Sequence, residues 1–572
     1  MQGVPDDEAG PGRAAEVARL AGGPAAVTDE EARDRAGGPV PERRTPVHRP
    51  ASDARRAALS GLRGHAWDVL LQPDAAAAGI PGGEAGALDI ARSCLAAGDP
   101  AAAVQALDAG CGLALHAATG FLDVATRLER ADRQGLATRW RMAVGGARDV
   151  PAALRADVRA ALSEGGGDLV PAGLLDPPGL PDIRSALTTL DADALVYLMP
   201  GAGRDAGWAV AVPAAGPPGL MALPDLLLDA DADVERLITA APTGDSAPGT
   251  VRGGLDGLCD WAWRAVVGPL VERFLPTLPP PPAGRPPRVV LVPMGDLARV
   301  PWQAARRGDG TYAVQLVAFS QAVSARMLCR SAAAPPVPVL PVGLIVADPQ
   351  TSGQAGDLVA ARAAAEAVHR AFYPGARYVG RRAGGTPSAS GSGTAAEVRE
   401  WLTTSRPGAG AMLHLACHGA LQPAADGTTS HLLLAGPDGR LTAGELVALL
   451  AKAPERAIGL VVLAACRTGG SGRGHDPAFS LGAAFLAGGV RSVLSAQCGV
   501  PGQDASVLLY LFHHYLMTER RPAWDALRRA QLWMIDPDRA VPADMPAGLV
   551  RQLSGTDPAR VVAWSGFIHS GQ

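Results

Sequence analysis

From residue 342 onward, short apolar runs alternate with stretches of helical period, and this alternation limits the possible folds more than any other feature. "VGLIVAD" (342–348), "MLHLAC" (412–417), the run at 458–465 and "VRSVLSAQ" (490–497) read as strands. Helices are predicted at 357–372, 394–402 and 477–489, then over "DASVLLYLFHHYLM" and "AWDALRRAQLWM", before a closing strand at 561–568. Between the second and third strands, "HLLLAG" and "RLTAGEL" form a small hairpin leading into a helix. Continuous rather than alternating apolar residues mean strands buried on both faces. The expected fold is therefore α/β, with a mainly parallel sheet flanked by helices.

Upstream the texture differs. Residues 1–58 are rich in Gly, Pro, Arg and Asp and are expected to be poorly ordered. "ALDIARSCLAAGDPAAAVQALDAGCGLAL" (87–115) reads as two Ala-rich helices around a Gly-Asp-Pro turn, a tetratricopeptide-like hairpin without a second copy at that family's 34-residue period. "ALVYLMP" (194–200) and "WAVAVP" (208–213) predict a β-hairpin, and "RVVLVPMGDLARVPW" (288–302) a buried strand running into a loop.

The bulk numbers exclude more than they assign. A net charge of −4 over 572 residues gives no basic field for nucleic acid or anionic lipid. Only Lys452 among the 52 basic residues is a lysine, which is the mark of a GC-rich genome, so arginine here is not by itself a phosphate signal. No signal-peptide pattern and no apolar stretch of membrane length is visible, so a soluble cytoplasmic protein is expected. The seven cysteines are scattered without a CxxC, which predicts free thiols and neither a disulfide framework nor a zinc ribbon.

Two of the apolar runs stop in the same way. "MLHLACHG" ends at His418, and "GLVVLAACRTGG" (459–470) at Cys466. Ligands of open α/β sheets bind beyond the carboxyl ends of the strands, where both residues would sit if the strands are neighbours. A thiol of pKa near ~8.5 is mostly protonated at neutral pH, and an adjacent imidazole can take its proton. Gly419 leaves the backbone beyond His418 unobstructed, so its N–H and that of Cys466 could face a substrate oxyanion.

"HLACHG", "LVVLAACRTGG", "FSLGAAFLAGGVRSVLSA" and "VPMGDLARVPW", in that family's order, resemble the CHAT family of caspase-like proteins often associated with TPR repeats, and "AWSGFIHSG" resembles its closing strand. The resemblance covers about 183–572. It implies a caspase/separase-type fold and a cysteine endopeptidase, with Cys466 as nucleophile, His418 as general base and Gly419 supplying an oxyanion N–H. It also implies a protein substrate, a latent state released by a regulatory protein partner, and a role in bacterial signalling, defence or regulated cell death. No metal or organic cofactor is implied. The expected divisions are an N-terminal segment (1–58), a TPR-like helical region (59–165), the first α/β part of the CHAT domain (183–335) and a caspase-like core (336–572). Two departures stand out. Cys498 in "SAQCGV" replaces an aromatic usual in the family, and Arg467 follows the cysteine where an acidic or polar residue is common, which bears on subsite preference.

Other readings compete. A non-catalytic scaffold of the same fold, or thiol-dependent acyl transfer on a small molecule, would use the same architecture. Strand alternation turns Cys417 away from His418 and into the core. His414, His418 and His431 could be drawn together as a metal centre, but no acidic second shell accompanies them. Of His513 and His514, in an apolar helix, one is expected in the core and the other at the periphery. Asp476 either lines a pocket for a basic side chain or caps the helix that begins at Pro477, the cap being preferred; its neighbour His475 is expected to be solvated.

Overall fold

The computed structural model describes residues 57–58, 60–61, 71, 83–111, 115, 124–146, 150–163, 177–203, 205–228, 248–403, 410–424, 427–451, 457–465, 480–497 and 502–572. The segment 1–58 therefore lies outside the described residues, apart from positions 57 and 58. Helices α1 (Gly83–Ala96) and α2 (Pro100–Gly110) form the hairpin expected from the Gly-Asp-Pro turn. Asp99 caps α2 by accepting from the Ala102 N–H at 3.0 Å, with Pro100 in the first turn where its missing N–H costs nothing. Helices α3 (Gln134–Gly146), α4 (Ala152–Ser163) and α5 (Leu180–Thr189) follow.

The first sheet holds β1 (Ala194–Met199), β2 (Gly207–Pro213), β3 (Gly219–Leu223), β4 (Arg288–Pro293) and β5 (Ala318–Gln321) in the order β3-β2-β1-β4-β5. β1 and β2 pair antiparallel as the expected hairpin, and β4 returns parallel to β1 after helix α6 (Pro248–Ala262). The helical hairpin buries Cys94, Val104 and Leu107 against Leu195, Tyr197 and Val290 of this sheet. Buried Asp108 of α2 accepts from the Tyr197 hydroxyl at 2.9 Å and from the Ala325 N–H at 2.6 Å, at the start of helix α7 (Ala325–Ala333). The α1–α2 hairpin is thus bonded into the core as well as packed on it.

The second sheet contains the site. Its strands are β6 (Gly343–Ala347), β7 (Arg377–Gly380), β8 (Met412–Ala416), β12 (Leu460–Leu463), β13 (Ser492–Ala496) and β14 (Phe567–Gly571). They lie in the order β14-β13-β12-β8-β6-β7, all parallel except the β13–β14 pair. A separate three-stranded ribbon, β9 (His418–Ala424), β10 (Gly427–Leu433) and β11 (Arg440–Thr442), rises from the end of β8. Helices lie on both faces. Helices α8 (Val359–Phe372), α12 (Gly502–Met517) and α13 (Ala523–Ile535) pack on the face carrying Met412, Ala416, Val462 and Leu494. On the opposite face, with Leu413, Leu415 and Cys417, lie α9 (Ala395–Thr403), α10 (Ala443–Ala451) and α11 (Leu481–Ala487). A mainly parallel sheet covered by helices, preceded by a helical region, is the architecture expected from the apolar runs.

Local differences have physical causes. The run at 561–568 divides into a helical turn, Val561–Trp564, and strand β14, because pairing with β13 begins only after Ser565 and Gly566. The helix expected from Pro477 is described from Leu481, and Ser480 caps it by accepting from the Ala483 N–H at 3.2 Å. Asp476, the expected cap, lies outside the described residues.

The two sheets meet where β5 approaches β14. There the Ser320 hydroxyl donates to His569 Nδ1 at 3.0 Å, and His569 Nε2 donates to the Gln572 carbonyl at 3.0 Å. Burial, with Arg288 nearby, pushes this imidazole down to about 3. The folded ring stays neutral while the unfolded one protonates below about pH 6.5. Its contribution is thus complete above that pH and is lost as pH falls toward the folded value, at up to about 1.4 kcal/mol per pH unit. His569→Asn is expected to flatten the slope of urea-unfolding free energy by about that amount between about pH 6 and 4; an unchanged slope would contradict the assignment.

Candidate active site

The carboxyl ends of β6, β8 and β12 lie side by side. β12 pairs with β8 so that Val462 stands opposite His414 and Leu463 opposite Leu415. β8 also pairs with β6, placing Ala416 opposite Ala347. His418 follows β8 after Cys417 and opens β9. Its ring is half-buried at the rim, and Nε2 lies 2.7 Å from the Gly356 carbonyl oxygen. A carbonyl only accepts, so Nε2 carries the proton and Nδ1 holds the lone pair. The backbone contact thus selects the tautomer with Nδ1 able to act as a base.

What holds Gly356 is a charged knot that the sequence reading missed. β6 ends at Asp348, which is buried and has a left-handed φ of 45°. Its carboxylate accepts from the Leu358 N–H at 2.9 Å and pairs with Arg362 at 3.0 Å and Arg381 at 2.8 Å. Arg381 Nε also donates to the Asp348 carbonyl at 2.8 Å, while the Asp348 N–H donates to the Ala416 carbonyl at 2.7 Å. Inside the loop, the Thr351 side chain accepts from the Ala355 N–H at 3.1 Å. Asp348 therefore ties the loop 349–358 to the ends of β6 and β8, and through that loop the Gly356 carbonyl meets His418. One clue was legible: "VGLIVAD" stops abruptly at a polar residue, as the other two runs do.

The remaining expected residues divide clearly. Cys417 is 1% exposed and packs with Leu413 and Leu415 on the face away from His418, as alternation required. Burial, and Asp348 secondarily, pushes its thiol up to about 12, so it is protonated and unreactive at neutral pH. Gly419 is the second residue of β9, opposite Leu432. His431 lies in β10 opposite Ala420, whereas His414 turns to His513, with Nδ1 3.3 Å from its Nε2. These histidines are not gathered on one point, and among the described residues no group of three or more His, Cys, Asp or Glu forms a metal-binding cluster. His513 is fully buried and His514 half-buried against Asp544 at 3.2 Å, the division expected for that helix. Cys466, Arg467, His475, Asp476 and Cys498 lie outside the described residues. Among those described, no helix is long and apolar enough to cross a membrane.

Beside His418 lies a cavity of about 80 Å³, bounded by the ends of β8, β12 and β13 and by helices α8 and α12. Ala464 and Ala465, the last described residues before Cys466, line it together with His414, Ala416 and His418.

The family model for the CHAT domain matches residues 256–572, more than half of the chain. No curated protein matches it. Among solved structures, the crystal structure of the Saccharomyces cerevisiae separase–securin complex matches at 9% sequence identity with a TM-score of 0.39. That match covers 91% of this chain and 40% of the other, so the chain spans about two fifths of the separase-complex chain it matches.

Proposed function

This chain belongs to the CHAT-domain family, and we propose that it is a cysteine endopeptidase of caspase-like fold using a His418/Cys466 dyad. In this reading the Cys466 thiol gives its proton to His418 Nδ1 as its sulfur attacks the scissile carbonyl. The backbone N–H groups of Gly419 and Cys466 hold the oxyanion. The imidazolium then protonates the leaving amine as the C–N bond breaks. Water, deprotonated by the same nitrogen, hydrolyses the thioester and restores the thiol.

One observation carries the reading: the Nε2–H of His418 is held by the Gly356 carbonyl, so the lone pair sits on Nδ1 at the rim where β12 also ends. The register supports it further. Val462 pairs with His414, and Cys466 and His418 each come four residues later in their chains. Arg467 and Asp476 follow the nucleophile closely in sequence and are proposed to bear on subsite preference. A protein substrate, a latent state relieved by a protein partner, a cytoplasmic location and a role in bacterial defence or signalling complete the proposal on the strength of the family resemblance.

The test is to expose a proteome-derived peptide mixture to the wild-type chain and to Cys466→Ala, and to sequence the new termini. Cuts made only by the wild type are expected; the same cuts made by Cys466→Ala would remove the thiol from the mechanism.

A further inference from the structure

The cavity beside His418 has walls of methyl groups. Ala416, Ala464 and Ala496 line it from the sheet, and Ala361, Ala364 and Ala505 from the helices. Protein interiors are close-packed, so a hollow bounded by alanines from four elements and from the residue after β12 is a shape written into the sequence rather than slack. No formally charged side chain lines it among the described residues. Ser506, also in the wall, already directs its hydroxyl to backbone carbonyls, with Ala360 at 3.0 Å and Gly502 at 2.5 Å.

Besides the Cys417 thiol and His418, which is half-buried at the rim, the remaining polar side chain in the wall is His414, 2% exposed. Its protonation follows from a buried chain behind it. The Tyr373 hydroxyl is wholly buried and lies 3.0 Å from His513 Nδ1, the hydrogen-bond partner it has among the described residues. A buried hydroxyl proton needs an acceptor, so Tyr373 donates and the His513 proton sits on Nε2. That N–H in turn donates to His414 Nδ1 at 3.3 Å. The His414 proton is therefore on Nε2, and no acceptor among the described residues takes it. Burial agrees with this neutral chain: it pushes His414 down to about 4 and His513 well below the ordinary imidazole value.

We propose that this cavity receives an uncharged side chain of the peptide substrate with a hydrogen-bond acceptor at its tip, glutamine being the representative, and that the His414 Nε2–H is the donor that reads it. The occupant's identity as a peptide side chain rests on the peptidase reading; the donor and the cavity do not. A carboxylate or an ammonium entering here would lose its hydration, and no formally charged side chain among the described lining residues would meet it. A wholly apolar side chain would leave the Nε2–H unpaired. Tyr373 and His513 act through His414 as positioning residues.

The test uses the full chain carrying Cys466→Ala, labelled with [15N]histidine, with His414→Gln to assign the resonance. Propionamide, the glutamine side chain cut at its β-carbon, is the probe, with propionate and propylammonium as charged controls. His414 is expected as the Nε2–H tautomer, with its Nε2 resonance shifted saturably by propionamide and by neither control. Tyr373→Phe, which frees the tautomer, is expected to weaken propionamide about fivefold, the worth of one hydrogen bond. A proton found on Nδ1, or a His414 resonance that propionamide leaves unmoved, would overturn the proposal. The readout needs no catalysis: an unreactive Cys466 in the wild type with a responsive His414 defeats the peptidase and leaves the pocket, and the converse defeats the pocket alone.

Discussion

His418→Ala is expected to lower the rate of peptide-bond cleavage by about 10²–10⁴-fold, the range for loss of a positioned general acid–base. The ring is half-buried at the rim and makes one described hydrogen bond, to the Gly356 carbonyl, so the truncation removes little packing and the fold should survive. The loss should fall mainly on kcat, because proton transfer from thiol and to leaving amine belongs to the transition state. His418→Gln is the sharper control. Its amide can still donate to Gly356 but offers no basic nitrogen, so it should be as slow as His418→Ala. Activity restored by Gln would mean that the ring serves as a spacer and not as a base. Mass-spectrometric quantification of cut peptides beside circular dichroism of both variants separates the outcomes.

Asp348→Asn is expected to destabilise the chain by about 1–3 kcal/mol, because the partly buried Arg362 and Arg381 lose their buried carboxylate and keep only Asp357, at 3.4 and 2.7 Å. Asn is the informative substitution: it tolerates the left-handed backbone at φ 45° and keeps an oxygen for the Leu358 N–H. The difference from wild type therefore reports the charge lost to Arg362 and Arg381 rather than strain or a missing acceptor. Urea titration measures it, with a midpoint lowered well outside error. The knot also holds the loop that meets His418, so the variant should lose peptidase activity even under conditions where it is fully folded. A variant as stable as wild type would show that Asp357 alone satisfies the two arginines.

The β6–β8–β12–β13 set was legible because each strand is buried on both faces and so is written as a continuous apolar run. β7 was not, since Arg377–Gly380 is an edge strand of four residues with no room for a period. β9 was hidden for another reason: "HGALQPA" contains Gly and Pro and reads as loop, and its strand character comes from pairing with β10. The place of His418 at the rim was legible from the run that stops there. Its support was not, because Asp348 finds its partners 14 and 33 residues away and His414 finds His513 99 residues away, distances that only the folded chain closes. The cap of the helix Leu481–Ala487 was also missed, because Ser480 sits inside the stretch that the sequence reads as already helical.

The most direct measurement of the central claim needs no substrate: iodoacetamide alkylation of the purified chain across pH, mapped on all seven cysteines and repeated with His418→Ala. The dyad predicts that Cys466 reacts far faster than the rest at neutral pH and loses that advantage in the variant. Cys417 and Cys329, both pushed up to about 12 by burial, serve as slow internal standards. A Cys466 that reacts no faster than Cys94, with or without His418, would contradict a dyad assembled in the purified chain, leaving either a latent enzyme that needs its partner or a scaffold.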